Sequence, residues 1–247
     1  MIFIEAGNTA VKAVRVHPEK FDEIFRVETE QPALLKKEMQ NLTDGEQILL
    51  SSVRKDMTEV INDTHNRLNV QQITYKNLGV VSLDYKTPET LGIDRVLACL
   101  GAATDAGGKD VIVIDSGTAC TIDYMSGDFS FKGGVIMPGL AVYRKGMQQI
   151  LPELPQTDHS LPDHFPGRST EESLRWGVYG GFIYSIASFV EKYRKQNPSV
   201  KIYSAGGDGL KLSEDLRKRF SLSVNFRQEL VFDGMRAYLS LNKEKEV

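Results

Sequence analysis

Two stretches of this chain carry one residue order. IFIEAGNTAVKAVRV (Ile2 to Val16) and VIVIDSGTACTIDYM (Val111 to Met125) each run as an apolar strand, an acid, a small residue, a glycine, a nearby threonine and a second strand. A third strand is expected after each, at Phe21 to Val27 and at Asp128 to Met137. Alternating helix and strand patterns follow both. Duplication on the scale of a whole lobe, with strand meanders leading into helix–strand alternation, constrains the chain to an α/β fold of two similar lobes. Each lobe is a mixed sheet flanked by helices. The boundary is expected near Gly107-Gly108, which gives lobes 1–107 and 108–247.

Periodicity supplies the elements. Val11 and Ala13 alternate with Lys12, Val14 and Val16, the period of a half-buried strand. Helices are expected over Gln31 to Asn41, Met57 to Leu68, Thr90 to Ala106, Leu140 to Leu151, Asp208 to Phe220 and Gln228 to Leu241. A long helix is expected from Thr170 to about Lys195, where Leu174, Val178, Phe182, Ile186 and Val190 step by four along one face. Further strands are expected at Gln47 to Ser51, Val70 to Tyr75, Val200 to Ser204 and Ser221 to Phe226.

Bulk properties exclude several functional classes. A net charge of −3 argues against nucleic acid and anionic membrane as partners. No apolar stretch reaches the roughly 20 residues that span a bilayer, and Glu5 interrupts the apolar start of the chain. The two cysteines, Cys99 and Cys120, form no CxxC and suit a reducing compartment as packing residues. The expectation is a soluble, cytoplasmic protein. Asn41-Leu42-Thr43 and Asn62-Asp63-Thr64 match the glycosylation pattern, and without a secretion signal they read as chance.

The repeated hairpins are the leading candidate site. Glycine in a tight turn lets backbone N–H groups approach phosphate oxygens, and Thr9 and Thr118 add hydroxyls. Glu5 and Asp115, just before the turns, could each hold a cation. No GxxxxGK[ST] and no strand-borne GxGxxG is present, which removes the P-loop and dinucleotide fingerprints.

Tyr85 to Val96, YKTPETLGIDRV, places Asp94 and Arg95 early in a helix. Asp94 could act as a base toward a hydroxyl and Arg95 could pair with an anion; a surface Asp–Arg pair is the structural alternative. In FKGGVIMPGL (Phe131 to Leu140) the glycines imply a close backbone approach or plain packing. GRST (Gly167 to Thr170) is good N-cap chemistry, with Ser169 or Thr170 as the cap. Ala205 to Asp208, AGGD, is a tight strand-to-helix turn that could pass under an adenine or ribose. His159 and His164 lie five apart in a proline-containing loop with no supporting metal ligands.

In this order the motifs resemble the type III pantothenate kinases of the acetate and sugar kinase/Hsc70/actin superfamily. The resemblance rests on GNT at Gly7, SSV at Ser51, YKTPETLGIDR at Tyr85, IDSGTACTID at Ile114, GGVIMPGL at Gly133, GRST at Gly167 and AGGD at Ala205. TPETLGIDR and IDSGTA are the specific ones. The resemblance implies two duplicated ribonuclease-H-like lobes of the actin-like ATPase type and ATP-dependent phosphorylation of pantothenate. It also implies a homodimer with the substrate site near the subunit interface.

By motif, Asp94 would be the catalytic base. Tyr85, Gly92, Ile93, Asp94 and Arg95 would contact pantothenate, with Thr170 closing on it. Glu5, Ala6, Gly7, Asn8, Thr9, Ala10, Val11 and Lys12 would form the first ATP-phosphate loop, and Thr118 would touch ATP. Asp115 would hold a monovalent cation, potassium or ammonium, and Glu5 would hold magnesium through water. The chain departs from the family at Glu5, where aspartate is usual. Ala205 stands where threonine is frequent. An alternative reading is a catalytically weak homologue acting as a binding or accessory regulatory factor.

Overall fold

The computed structural model describes residues 1–63 and 67–243. It divides into two compact units. The first comprises Met1–Gly107, Asp128–Phe131 and the last helix; the second comprises Gly108–Gly127 and Lys132–Glu229.

In the first unit, β1 (Ile2–Ala6) and β2 (Ala10–Val16) pair as an antiparallel hairpin, followed by β3 (Phe21–Glu28). After α1 (Pro32–Gln40), β4 (Gln47–Ser52) joins β1 in parallel. After α2 (Lys55–Asn62), β5 (Asn69–Ile73) joins β4, giving the order β3-β2-β1-β4-β5. The strand period then sorts the faces. Ile2, Ile4, Ala6, Val11, Ala13, Ile48 and Leu50 pack with Leu35 and Met39 of α1 and with Met57 and Ile61 of α2. The alternate residues face the other way: Phe3 stacks through Phe21 onto Phe232, with ring centroids 6.2 and 5.7 Å apart. Glu5 shares the parity of Phe3, so it points to that second face.

The second face is covered by α3 (Ile93–Asp105) and α8 (Leu230–Lys243). Val96–Ala103 of α3 is buried all round, as expected of a helix with no polar side. This differs from the expected lobe of 108–247. The final helix packs in the first unit because α3 must be enclosed, and small residues allow it. A Cβ on Gly234 would lie 1.9 Å from the Leu97 carbonyl oxygen, and one on Gly101 would lie 2.5 Å from that of Leu230.

The second unit repeats the design. β7 (Val111–Ser116) and β8 (Ala119–Met125) form the hairpin, and β9 (Ser130–Pro138) follows. Then β10 (Lys201–Ala205) and β11 (Val224–Phe226) add in parallel, so that five of the six strands of this sheet run β11-β10-β7-β8-β9. Read from the hairpin, each unit has its strands in the order 3-2-1-4-5. This topological identity supports the duplication read from sequence.

Ile112, Ile114, Cys120 and Ile122 form the core with α4 (Leu140–Ile150), α6 (Gly181–Gln196) and α7 (Gly209–Phe220). The expected long helix from Thr170 is α5 (Thr170–Arg175) joined to α6 by a π turn, Trp176–Gly180. The extra residue of that turn shifts the stripe. Tyr179 is buried, whereas Leu174 and Val178 are half-buried, and the four-residue step resumes at Phe182.

Other boundaries also moved. α2 begins at Lys55 and ends by Asn62; Thr64 to Asn66 of the expected helix, with Thr64 of the second glycosylation match, lie outside the described residues. The expected helix from Thr90 is a 3-10 turn, Pro88–Thr90, followed by α3 from Ile93. Ser221 takes a left-handed φ of 53° at the end of α7, which prevents an extended strand from starting there. A two-residue strand, β6 (Ser82–Leu83), was not expected. It pairs with Ser130 and Phe131 inside the first unit. No described helix is long and apolar enough to cross a membrane.

Candidate active site

In the first unit, the hairpin turn is closed by Gly7 N–H donating to the Ala10 carbonyl at 3.0 Å, with Asn8 and Thr9 exposed at its tip. Glu5 lies opposite Lys12 on β2 and opposite Ser51 on β4. Lys12 Nζ is 3.2 Å from Glu5 Oε2, and the Glu5 side chain is 15% exposed. The acid is therefore held by a cross-strand ion pair at the mouth of the sheet. It lies on the same sheet face as α3. Ala6, Ala10 and Val11 are buried.

The Gly92–Arg95 segment sits at the start of α3. Gly92 is its N-cap residue, and Asp94 lies in the first turn, where the helix N-terminus favours negative charge. Asp94 Oδ1 accepts the Arg95 backbone N–H at 2.8 Å. A side chain at 92 would crowd this carboxylate, since a Cβ there would lie 2.6 Å from Asp94 Oδ1. Ile93 turns into the core.

Arg95 is 9% exposed, and its guanidinium lies 5.7 Å from the Phe131 ring centroid. That distance is within cation–π range. Tyr85 packs against the same ring, with centroids 6.0 Å apart and the planes tilted. The structure thus brings Tyr85 and Arg95 together around Phe131, a residue the sequence did not single out. β6 sets this up: Leu83 pairs with Phe131, and Asp84 N–H donates to the Phe131 carbonyl at 2.9 Å. An open cleft of about 430 Å³ runs beside Gly92, between the Ser52–Lys55 loop and Glu89–Leu91.

In the second unit the hairpin turn is tighter, with Gly117 N–H donating to the Ala119 carbonyl at 3.0 Å. Gly139, the N-cap of α4, packs directly on it. Its N–H donates to the Thr118 carbonyl at 2.9 Å, and a Cβ there would lie 1.9 Å from the Gly117 oxygen. On the other flank, Gly206 holds φ +83°, and a Cβ would meet Asp115 Oδ1 at 2.5 Å and the Ser116 oxygen at 2.4 Å. Three separate motifs, SGT, PGL and AGGD, therefore converge on one turn, and their glycines serve backbone contact. Burial, then the charge of Asp115, pushes the Cys120 thiol up to about 12, so this cysteine is a neutral packing group.

Thr170 is exposed at the first position of α5. Ser169 is the cap, accepting from the Glu172 N–H at 3.1 Å, while Glu172 Oε2 accepts the Arg168 N–H at 2.6 Å. His159 Nε2 is 2.9 Å from Arg144 Nη1, and His164 Nε2 is 3.3 Å from Glu172. Among the described residues no group of three or more His, Cys, Asp or Glu side chains is arranged to hold a metal.

The chain is similar to known proteins along most of its length. The family model for type III pantothenate kinase matches residues 1–192. A type III pantothenate kinase from Flavobacterium johnsoniae is 28% identical over 230 residues, covering 93% of this chain and 94% of that protein. One from Phocaeicola vulgatus is 31% identical over 175 residues, covering 70% of each. Among solved structures, a Campylobacter jejuni protein described as a Baf family transcriptional activator superposes with a TM-score of 0.69 at 24% identity, covering 99% of this chain and 100% of that one. The last likeness speaks to the fold, which is the actin-like ATPase architecture of two mixed sheets flanked by helices.

Proposed function

The chain belongs to the type III pantothenate kinase family, and from that premise we propose that it transfers the γ-phosphoryl group of ATP to the primary hydroxyl of pantothenate. The product, 4'-phosphopantothenate, opens coenzyme A synthesis. The observation that carries the reading is that the family match runs through both hairpins and through the Gly92–Arg95 segment. In this chain that segment presents a carboxylate at a helix N-terminus beside an open cleft.

Phosphoryl transfer passes through a loose transition state, so positioning and charge neutralisation do most of the work. Asp94 accepts the proton of the attacking hydroxyl and aligns its oxygen. Gly92 leaves room for the Asp94 carboxylate. Arg95 and Tyr85, braced by Phe131, orient the acceptor, and the motif adds Thr170 as a further substrate-binding residue. The turns Gly7–Thr9 and Gly117–Thr118 supply backbone and hydroxyl donors to ATP, and Lys12 adds a cation.

Magnesium usually takes one or two protein carboxylates and completes its shell with phosphate and water. Glu5 suits that demand, and Asp115, whose Oδ1 lies with the Ser116 carbonyl beside Gly206, suits a potassium or ammonium ion. Bound there, these cations would neutralise phosphate charge. Unsatisfied apolar surface in the second unit supports a homodimer: Ile136, Ile150 and Phe165 are 63, 75 and 77% exposed. Light scattering of the purified protein should return twice the 27.6 kDa chain mass. A monomer at micromolar concentration would exclude the dimer. Coenzyme A synthesis makes the cytoplasm the expected compartment.

Incubation with ATP, magnesium, pantothenate and potassium or ammonium should yield phosphopantothenate by mass spectrometry. Absence of product under every salt combination would overturn the reading. Glu5 motivates a second reading, the accessory factor. The Lys12 contact holds this longer acid in place, so wild type should rescue a strain lacking pantothenate kinase. Glu5→Gln should lose about 10²-fold in kcat through loss of charge, with Glu5→Asp losing less. Rescue by Glu5→Asp alone would favour the accessory factor.

A further inference from the structure

The first phosphate turn is braced from behind. Its Asn8 carbonyl accepts Arg54 Nη1 at 3.1 Å. The same carbonyl, with that of Thr9, accepts the buried Thr29 hydroxyl at 3.2 Å each, and Thr29 N–H donates to Thr9 at 2.8 Å. The Arg54 guanidinium is itself held in a fork: Nε donates to Asp56 Oδ1 at 2.9 Å and Nη2 to Oδ2 at 2.6 Å. Its backbone is pinned too. Arg54 N–H donates to Ser52 Oγ at 3.2 Å, and the Arg54 carbonyl accepts from the Ser52 and Thr58 hydroxyls at 3.0 and 2.9 Å. One residue earlier, Val53 N–H donates to the Ala6 carbonyl at 3.0 Å.

In a planar trans peptide, the carbonyl and the following N–H point in opposite directions. Holding the Asn8 carbonyl toward Arg54 therefore turns the Thr9 N–H to the opposite side of the turn. The same loop also forms a wall of the cleft beside the acceptor motif. Ser52, Arg54 and Lys55 line one side, and Thr90, Leu91 and Gly92 the other.

We propose that Arg54 is a positioning residue: clamped by Asp56, it sets the orientation of the first phosphate turn and fixes its spacing from the acceptor segment. Lysine cannot replace it, because a single ammonium cannot both fork onto Asp56 and reach the Asn8 carbonyl in one plane. The inference rests on the kinase reading for its kinetic consequence, but the turn geometry is measurable without activity.

The test compares wild type with Arg54→Ala, Arg54→Lys and Asp56→Asn. Steady-state kinetics in ATP and in pantothenate, amide hydrogen exchange without nucleotide, and thermal melting are followed. Arg54→Ala should lower kcat/KM for ATP about tenfold and speed exchange at residues 7–10 by a similar factor. KM for pantothenate should stay within about twofold. Arg54→Lys should fail to restore either value, and Asp56→Asn should move both the same way by less. Wild-type exchange at the turn with wild-type ATP kinetics in Arg54→Ala would overturn the proposal. So would a uniform rise in exchange across the first unit with a matching loss of melting temperature, which is the mark of general destabilisation. If wild type lacks kinase activity while exchange at the turn responds, the kinase reading fails and the positioning role stands.

Discussion

Asp94→Asn should lower kcat by about 10²- to 10³-fold, the range expected for loss of a positioned proton acceptor. Asparagine keeps the size of the side chain, and its amide oxygen can still accept the Arg95 N–H that Asp94 Oδ1 accepts now at 2.8 Å. The start of α3 is thereby preserved, and the thermal midpoint should stay within about 3 °C of wild type. What is lost is the negative charge and the capacity to take a proton. With Tyr85 and Arg95 proposed to orient the acceptor, KM for pantothenate should change by less than about threefold. A variant within fivefold of wild-type kcat would remove Asp94 from the role of base. A loss confined to KM would leave it a binding group only.

Gly234→Ala should be the most damaging small substitution away from the reacting atoms. A Cβ at 234 would lie 1.9 Å from the Leu97 carbonyl oxygen and 2.5 Å from its carbon, both backbone atoms of a buried helix. No side-chain rotation relieves that overlap, so α8 and α3 must move apart. Overpacking of this kind costs about 1–3 kcal/mol, which for a chain of this length lowers the melting temperature by roughly 3–10 °C. Leu97 is one helical turn beyond Asp94, so the separation also moves the acceptor motif and kcat should fall with stability. Gly101→Ala strains the same crossing from the opposite helix. The two should combine non-additively because they share one displacement. A melting temperature unchanged in calorimetry would refute this account of the crossing.

Much of the fold was legible beforehand because its signals are local. The alternation of Val11 and Ala13 with Lys12 and Val14 depends only on strand pleat, and the observed faces follow it. Gly-Asn-Thr and Gly-Thr read as turns from backbone sterics alone, and both close hairpins. The cap at Ser169 followed from side-chain chemistry within three residues. The acid–glycine–threonine repeat marked both halves, and the strand order 3-2-1-4-5 in each unit bears it out.

The parts that escaped the sequence depend on partners far along the chain. Phe131 showed no motif of its own. It contacts both Tyr85 and Arg95, and a two-residue strand, too short for any periodicity, pairs with it from 48 positions upstream (131 − 83). Arg54 lay outside every motif singled out in the sequence, and its contact with Asn8 crosses 46 positions. The π turn at Trp176 leaves little local trace because it adds a single residue to a continuous helical pattern.

Sequence by itself determined the two hairpin turns and, by their shared residue order, the duplication, since each turn is written in adjacent residues. It also posed Glu5 as the odd acid. Tertiary structure decided that Glu5 is paired with Lys12, that it shares a sheet face with α3, and that the last helix leaves the second unit to enclose the first. The physical reason is that burial is a property of the assembled surface. An apolar helix such as α3 announces that it must be covered, but any distant segment with a complementary face could cover it. The close backbone contact at Gly101 and Gly234 and the packing of Phe232 on Phe21 select α8.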